Sequence, residues 1–452
     1  MRQATAIAGW LAASAYALQS ILSYWLAQGP PSDAGLGEQG PFYRSLTGLS
    51  PPAFVQDDAT FVLLLAAPLA VVTLVCAALL ARLYASPGID EASIDRMARW
   101  AIVFAVINVF ALPVVAQDFW SSLAWGKMIL AGLNPYHTVM PAAIGEAWFP
   151  DHYRPTMVYG PFWALPMAAI GALTDNRWVA FFLAKLLLAA FWLLAFAIVR
   201  RATARCTPAE RGIAIVMAGW MPVAIQQGVG EGHVDMAMTG MVMLWLATRN
   251  SFALAAAVVI KYTAAPLALF VLRDRRRPAE IAGAALMALA AIGLFFRGPA
   301  FLGGNSDLLA WHFMTPRDAL AFLGRGAVIG VLPFLAVAVV AVVRYLRDAA
   351  EPNRTHAAIA VMSLLLFAVY PLVWPWYLAA VLIPAALVPR WGLSIWIAGF
   401  SLMAPFSIMS QTIGLGREWM APWPAVLVYA VSLAWFAVML IRSRRPAPAG
   451  PA

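Results

Sequence analysis

The chain has 452 residues, of which 63% are hydrophobic and only 11% are charged. Because soluble domains carry about one quarter charged residues, this composition excludes an ordinary water-soluble enzyme. The net charge is +9, and almost all of the cations are arginines that stand at the ends of apolar runs. That placement is typical of membrane topology signals, so the charge predicts no nucleic-acid partner.

Continuous apolar runs recur along the whole chain. They are not alternating, which favours transmembrane helices over an outer-membrane β-barrel. The segments lie at 7–27, 61–84, 98–117, 159–173, 178–199, 212–229, 233–248, 251–272, 279–296, 326–346, 356–373, 376–389, 392–409 and 422–441. The sequence therefore predicts an all-α polytopic membrane protein with up to 14 spans.

Two of these segments are weak candidates for complete spans. The segment 159–173 is short and contains Pro166, and 251–272 is interrupted by Lys261 and Pro266. If both are broken or re-entrant, most of the arginines fall on one side of the membrane, as the positive-inside rule favours. We therefore predict about 12 transmembrane helices plus two broken segments in an inner (plasma) membrane. Both termini are then cytoplasmic, and the long polar loops face outward.

The first polar cluster begins at Asp118, directly after the third apolar segment. The stretch 119–131 predicts an amphipathic helix in the membrane interface, and Pro135 ends it. Asp118 is a candidate functional residue, and Lys127, His152 and Arg154 are further candidates in the polar stretch that follows it. Two alternatives stay open. Asp118 has the position of a helix cap, and the pair Asp57-Asp58 is a rival acid, although it too has the position of a helix N-terminus.

A second group of polar residues interrupts the middle of the chain. His233 and Asp235 lie at the turn of an almost apolar hairpin, so this tip is either solvated or used to bind substrate hydroxyls. Their spacing disfavours a metal site, because side chains two positions apart do not converge on one helix face. Lys261 is an ionisable group in an apolar run, which raises a functional question. We expect it to bind a phosphate or to form a structural ion pair.

Five short motifs in order carry a resemblance to a known family. They are Asp118 followed by Gly132-Leu133-Asn134-Pro135-Tyr136, then Tyr159-Gly160-Pro161, Gly232-His233-Val234-Asp235, Lys261-Tyr262-Thr263 with Pro266, and Val373-Trp374-Pro375-Trp376-Tyr377. This order resembles the GT-C superfamily of membrane glycosyltransferases, and in particular the bacterial polyprenyl-phosphate-mannose-dependent mannosyltransferases. It covers roughly 115–390. Gln117 departs from the family's acidic pair, and Val373 replaces its histidine.

The resemblance implies a specific reaction and a division of the chain. A sugar, mannose or another hexose, is moved from a polyprenyl phosphate to a hydroxyl of a lipid- or glycan-linked acceptor on the outer face, by single displacement with Asp118 as general base. Membrane lipids are the other expected partners. The implied parts are an N-terminal hairpin (1–95), a GT-C-like catalytic core with interfacial helices (96–390), and a C-terminal hairpin with a basic tail (391–452).

The residues expected to contact substrate come partly from these motifs and partly from the polar outer loops. They are Lys127, Asn134, Tyr136, His152, Arg154, Tyr159, His233, Asp235, Lys261, His312, Arg317 and Trp374. No cofactor is predicted, because phosphate leaves as a stable anion, while use of a divalent metal stays open. Two other classes also stay open at this point: another lipid-linked transferase or ligase, and a secondary transporter.

Overall fold

The computed structural model describes residues 2–28, 40–52, 55, 57–85, 89–149, 156–271, 278–296, 314–370, 373–408 and 423–443. Within those ranges the chain is helical and contains no β-strand. Seven helices are long and apolar enough to cross a membrane: Arg2–Leu26, Ala59–Ala85, Arg177–Arg205, Pro208–Gly230, Val328–Arg347, Glu351–Val369 and Ala425–Arg442. The predicted class, an all-α membrane protein, is confirmed, while the number of spans stays a prediction.

Most helices follow the predicted apolar segments, but the helix predicted over 98–117 ends at Val109. The helices are α1 (Arg2–Leu26), α2 (Gly40–Thr47), α3 (Asp58–Ala85), α4 (Glu91–Val109), α5 (Gln117–Leu130), α6 (Ala142–Trp148), α7 (Pro161–Leu173), α8 (Arg177–Ala202), α9 (Pro208–Gly219), α10 (Asp235–Thr248), α11 (Ser251–Ile260), α12 (Ala268–Val271) and α13 (Pro278–Phe296). Further helices are Pro316–Ala319, Leu332–Arg347, Glu351–Leu364, Ala379–Ala385, Gly392–Met403 and Trp423–Ser443. The break predicted at Lys261 is present, because α11 ends at Ile260 and Lys261 is extended (φ −149°, ψ 115°).

Helix α5 differs from its prediction. A helix lying in the interface exposes one polar face, but residues 119–126 are all buried, and Trp120, Leu123 and Trp125 are at most 2% exposed. The helix packs against α7. The exposed polar face predicted for an interfacial helix over 119–131 is therefore absent from residues 119–126, while the position of α5 relative to the membrane stays a prediction. The physical reason is that most residues of this stretch are apolar or aromatic, and such a helix buries its surface against neighbouring helices.

The tip at 231–235, which follows α9, lies at the same end of the molecule as Lys261. A π-helical stretch, Val223–Gly230, leads from α9 into the turn before α10. Helix α10 then runs away from this turn for 14 residues, about 21 Å at 1.5 Å per residue. Helix α11 returns and ends beside Lys261. The tip at 231–235 and Lys261 consequently share one end, and the α10–α11 turn at 249–250 lies at the other.

Four ion pairs among the described residues connect helix ends at the end of the molecule that holds the α10–α11 turn. They are Arg2–Asp90 (3.3 Å), Arg200–Asp95 (3.7 Å), Arg211–Glu91 (2.7 Å) and Arg390–Glu210 (3.6 Å). They involve the start of α1, α4 and α9 and the end of α8. We call this region the arginine end. The opposite end of α1 packs near the start of α5, where Ser23 Oγ accepts a hydrogen bond from the Leu112 N–H (2.9 Å).

Candidate active site

The Asp118 carboxylate lies where three chain segments meet. It stands in the first turn of α5, and its Oδ2 accepts a hydrogen bond from the Tyr159 hydroxyl (2.5 Å). His233 Nδ1 lies 3.3 Å from the same oxygen. The side chain of Asp118 is 26% exposed. Helix α5 has no side-chain cap, and Ala116 occupies the N-cap position, so capping is not what this carboxylate does.

The surroundings of Asp118 keep it ionised. Burial by itself raises the pKa of the carboxyl group. The charge and hydrogen bond of His233, the hydrogen bond of Tyr159 and the charge of Lys261 lower it, and together they outweigh burial, so the net pKa is below the ordinary value. Burial and the nearby Asp118 raise the pKa of Tyr159. Tyr159 therefore stays protonated and donates, while Asp118 stays a proton acceptor.

Backbone contacts hold Tyr159 in place. The Tyr136 hydroxyl donates to the Tyr159 carbonyl (2.9 Å), and the Gly160 N–H donates to the Ile260 carbonyl (2.8 Å). A Cβ atom at Gly160 would lie 1.7 Å from the Val259 carbonyl oxygen, so only glycine allows this approach. The contact brings the segment before α7 against the end of α11. Tyr159 and Lys261 consequently become neighbours, 5.6 Å apart from ammonium to ring centre.

His233 is held in a stack of aromatic rings. Its side chain is 1% exposed and lies parallel to the Trp376 ring at 4.0 Å. Trp376 in turn stacks on Trp374 at 4.9 Å. Gly232 has a positive φ of +84°, and a Cβ there would meet the Phe119 ring at 2.5 Å. The chain therefore turns sharply before His233, and Nε2 of its ring has no hydrogen-bond partner among the described residues.

Asp235 and Lys261 form a buried ion pair beside this stack. Lys261 Nζ donates to both carboxylate oxygens of Asp235 at 2.8 Å, and the two side chains are 7% and 3% exposed. The ammonium also lies 4.1 Å from the centre of the Tyr377 ring. The pair lines a small cavity of about 20 Å³, whose walls also include apolar side chains such as Met362 and Leu366.

Several predicted contact residues lie apart from this cluster. Lys127 pairs with Asp175 (2.5 Å) and donates to the carbonyls of Gly171 and Thr174. Nine residues of helix separate it from Asp118, about 13 Å. Lys127 joins the end of α5 to the end of α7, and its role as a substrate contact stays a prediction.

The other predicted residues divide into structural positions and undescribed ones. Asn134 accepts a hydrogen bond from the Tyr136 N–H (2.9 Å) and so shapes the turn after α5. Arg317 is exposed in a short helix that Thr315 and Asp318 cap, and no described contact joins it to Asp118. His152, Arg154 and His312 lie outside the described residues.

Asp57, the first residue of the rival acidic pair, makes the contacts of a helix N-terminal residue. Asp57 Oδ2 accepts hydrogen bonds from both the N–H and the hydroxyl of Thr60 (2.8 Å each). These bonds lower the pKa of Asp57. It is therefore a helix N-terminal residue at the start of α3, as the alternative interpretation holds.

Sequence reasoning missed three residues of the cluster. Trp376 and Tyr377 stand in the same aromatic motif as Trp374, but only their contacts with His233 and Lys261 show their involvement. Glu231 is 3% exposed, and its Oε2 accepts from the N–H groups of residues 114–116. Its signal in the sequence is a third ionisable group at an apolar tip. Among the described residues, no group of three or more His, Cys, Asp or Glu side chains is arranged to hold a metal ion.

An apolar helical bundle with one ionised, partly exposed carboxylate among tyrosine, histidine and tryptophan side chains has the features of a membrane glycosyltransferase site. A family model described as alpha-(1->6)-mannopyranosyltransferase, N-terminal domain, matches residues 21–273. The chain therefore belongs to this family of GT-C membrane mannosyltransferases, and the predicted resemblance is confirmed. No curated protein and no solved structure matches the chain.

Proposed function

We propose that this protein transfers mannose from a polyprenyl phosphate to a hydroxyl group of a glycolipid or glycan acceptor. The linkage in the family's description, α-(1→6), favours a primary hydroxyl at C6 of the acceptor sugar. The observation that carries the proposal is the Asp118 carboxylate, which is partly exposed and receives a hydrogen bond from Tyr159. No other carboxylate in the described cluster is both ionised and open, since Asp235 is fully engaged by Lys261.

The chemistry is a single displacement at the anomeric carbon. The acceptor oxygen forms a bond to C1 while the bond between C1 and the phosphate oxygen breaks, and the polyprenyl phosphate leaves with the electron pair. Asp118 takes the proton of the acceptor hydroxyl as the new bond forms. Tyr159 orients the carboxylate, and the His233–Trp376–Trp374 stack gives the sugar an apolar wall. Because there is one displacement, the configuration at C1 inverts.

The cavity beside Asp235 and Lys261 has the division between polar and apolar walls that a lipid phosphate donor would need. Its polar wall carries the ammonium of Lys261 together with Thr263 and Tyr370, and its remaining walls are apolar. An isoprenoid phosphate has the same division between a charged head and an apolar chain. Asp235 occupies two N–H groups of Lys261, and the third is available for a phosphate oxygen. Lys261 then holds Asp235 and the donor together.

The distribution of arginines supports an outward-facing site. The site lies at the end of α10 opposite the arginine end, about 21 Å away along the helix. Arginine-rich termini favour the cytoplasm, so the arginine end is inside and Asp118 faces outward. Cytoplasmic termini and delivery of the donor through the membrane are consistent with this orientation.

The direct test is sugar transfer by the purified protein. Radiolabelled polyprenyl-phosphate mannose and a glycolipid extract are supplied, and the product is analysed for a new mannosidic bond. Asp118→Asn should lower turnover about 10²- to 10⁴-fold, because the amide cannot accept the proton. Donor binding should survive, since the phosphate is held elsewhere. Asp57→Asn is the matched control, because asparagine also caps a helix well, and it should transfer at the wild-type rate.

Two results would contradict the proposal in different ways. If the wild-type protein makes no mannoside from the polyprenyl donor, the proposed transferase reaction is contradicted. If the wild-type protein transfers mannose but Asp118→Asn keeps more than about a tenth of wild-type turnover, the proposed reaction stands. Asp118 is then not the general base.

A further inference from the structure

A single carboxylate oxygen joins the tip at 231–235 to the start of α5. Glu231 Oε2 accepts hydrogen bonds from three consecutive backbone N–H groups, those of Val114 (2.8 Å), Val115 (2.9 Å) and Ala116 (3.2 Å). Its other oxygen accepts from Gln226 Nε2 (3.2 Å). Successive N–H groups that converge on one point form an anion-binding concavity. Here the anion is supplied by the chain itself.

Glu231 joins the same two chain segments that carry Asp118 and His233. Asp118 stands two residues after Ala116, and His233 stands two residues after Glu231. The contacts at Glu231 and at Asp118 therefore attach the same two segments at two neighbouring points. Helix α5 has no side-chain cap of its own, and Glu231 accepts from the three N–H groups that directly precede its first residue.

Burial of this carboxylate needs compensation, and the compensation is present. Glu231 is 3% exposed, and an ionised carboxylate in such a place is costly without partners. Besides the three N–H groups around Glu231, Nζ of the Lys185 side chain donates to the carbonyl of Gly230, the residue before Glu231. This buried group is tied to the site at several points, whereas a cap for one helix requires a single acceptor.

We propose that Glu231 is a positioning residue of the transferase, which sets the Asp118 carboxylate against His233 and Tyr159 without touching substrate. The inference rests on the proposed function. A displacement reaction is sensitive to the position of its base, and a misplacement of about 1 Å costs on the order of 10²-fold in rate. Loss of the Glu231 contacts frees the segment 114–116 and with it the first turn of α5.

The test compares Glu231→Gln and Glu231→Ala with wild type in the mannose transfer assay. Glutamine keeps the size of the side chain and one acceptor oxygen, so we expect kcat to fall about tenfold in Glu231→Gln and about 10²-fold in Glu231→Ala. KM for the donor should stay within about twofold. Glu210→Gln is the matched control, since Glu210 caps α9 in a capping box at the arginine end, and it should keep the wild-type kcat.

Two further measurements separate positioning from a general loss of structure. In the Asp118→Asn background, Glu231→Gln should cause no further fall in rate, because it acts through Asp118. The acid limb of the kcat profile should also move to higher pH in Glu231→Gln, because Asp118 loses the His233 contact while the Tyr159 hydroxyl and the Lys261 charge remain as neighbours. The pH profile is measured in the enzyme that keeps Asp118, so it can be used even if the Asp118→Asn variant is too slow to assay.

The inference fails if Glu231→Gln keeps the wild-type kcat, or if its loss of rate is the same in both backgrounds with an unmoved acid limb. It also fails if the loss falls on donor KM rather than on kcat. A wild-type enzyme without transfer activity is a different result, since it removes the proposed function itself.

Discussion

Asp118 has a hydrogen-bond donor and an imidazole at one carboxylate oxygen, and the two neighbours have separate consequences. Tyr159 donates at 2.5 Å, and His233 adds both charge and a hydrogen bond that lower the pKa. The lowered pKa means that Asp118 stays ionised as the pH falls and loses its charge only below the ordinary range of a carboxyl group. We therefore expect the base role proposed for Asp118 to persist through neutral and mildly acidic pH.

Tyr159→Phe tests this environment. The change removes one of the groups that lower the pKa of Asp118, so that pKa rises and the acid limb of the kcat profile moves to higher pH. At neutral pH the rate should fall by about 10- to 100-fold at most, because a hydrogen bond to a charged group contributes about 1.5–3 kcal/mol. Tyr84→Phe is the control, since its buried hydroxyl also donates, at 2.8 Å, but to Pro389 far from the site. An unmoved acid limb in Tyr159→Phe would contradict the assignment.

Two measurements separate the structural role of the Asp235–Lys261 pair from the donor-binding role proposed for Lys261. Lys261→Met leaves Asp235 as an unpaired buried charge and should destabilise the protein by about 3–5 kcal/mol. Asp235→Asn/Lys261→Met removes both charges and should recover most of that stability. Thermal unfolding measures this part.

Donor affinity measures the second role of Lys261. If Lys261 also contacts the donor phosphate, the stable double variant should still bind the polyprenyl phosphate at least about tenfold more weakly, while Asp235→Asn alone binds it well. Wild-type affinity in the double variant would leave Lys261 with the structural pair only.

At the scale of elements, two glycines permit the contacts that build the site. Gly160 lets the start of α7 touch the end of α11, and Gly232 makes the turn that presents His233. Both contacts join segments that stand far apart in the sequence. The polar groups of the site are therefore carried on the ends of short helices, and their positions depend on how closely those ends approach.

Gly232→Ala should damage both the turn and the site. Its positive φ costs an L-residue roughly 1–2 kcal/mol, and the added Cβ would also overlap the Phe119 ring. Gly48→Ala is the matched control, because Gly48 has a similar φ of +69° with nothing within 4 Å of the added atom. Thermal unfolding should show a larger loss for Gly232→Ala, and the transfer rate should fall only in that variant. Equal losses would mean that the Phe119 contact is unimportant.

At the scale of the whole molecule, the helices separate an arginine end from the end that carries the site. The ion pairs at the arginine end join α1, α4, α8 and α9, and Asp118, the tip and Lys261 lie together at the opposite end. This polarity is what a membrane enzyme needs if its donor arrives from the lipid and its acceptor from the outer aqueous face.

Cysteine labelling in intact cells tests the orientation. In a Cys206→Ser background, where the other native cysteine, Cys76, is buried, we expect a membrane-impermeant maleimide to label His137→Cys directly. Asn250→Cys should react only after the membrane is permeabilised. Both positions are exposed in the structure, so a difference in labelling reports the side of the membrane. Labelling of position 250 in intact cells would reverse the proposed topology.

The sequence alone determined the class of the protein, the helical segments, the break at Lys261 and the candidate base. Composition and apolar run length are local properties, and an ionisable residue in an apolar run stands out without any knowledge of its neighbours. The short motifs were also sufficient to indicate the mannosyltransferase family.

Only the tertiary structure decided which of these residues act together. It buries α5 and places Lys127 away from Asp118, because packing around a helix depends on its neighbours as well as on its own pattern. It brings Glu231 to N–H groups more than 110 positions away in the chain and pairs Lys261 with Asp235. Such contacts join segments whose separation carries no periodic signal, so they follow from the packing of the whole bundle.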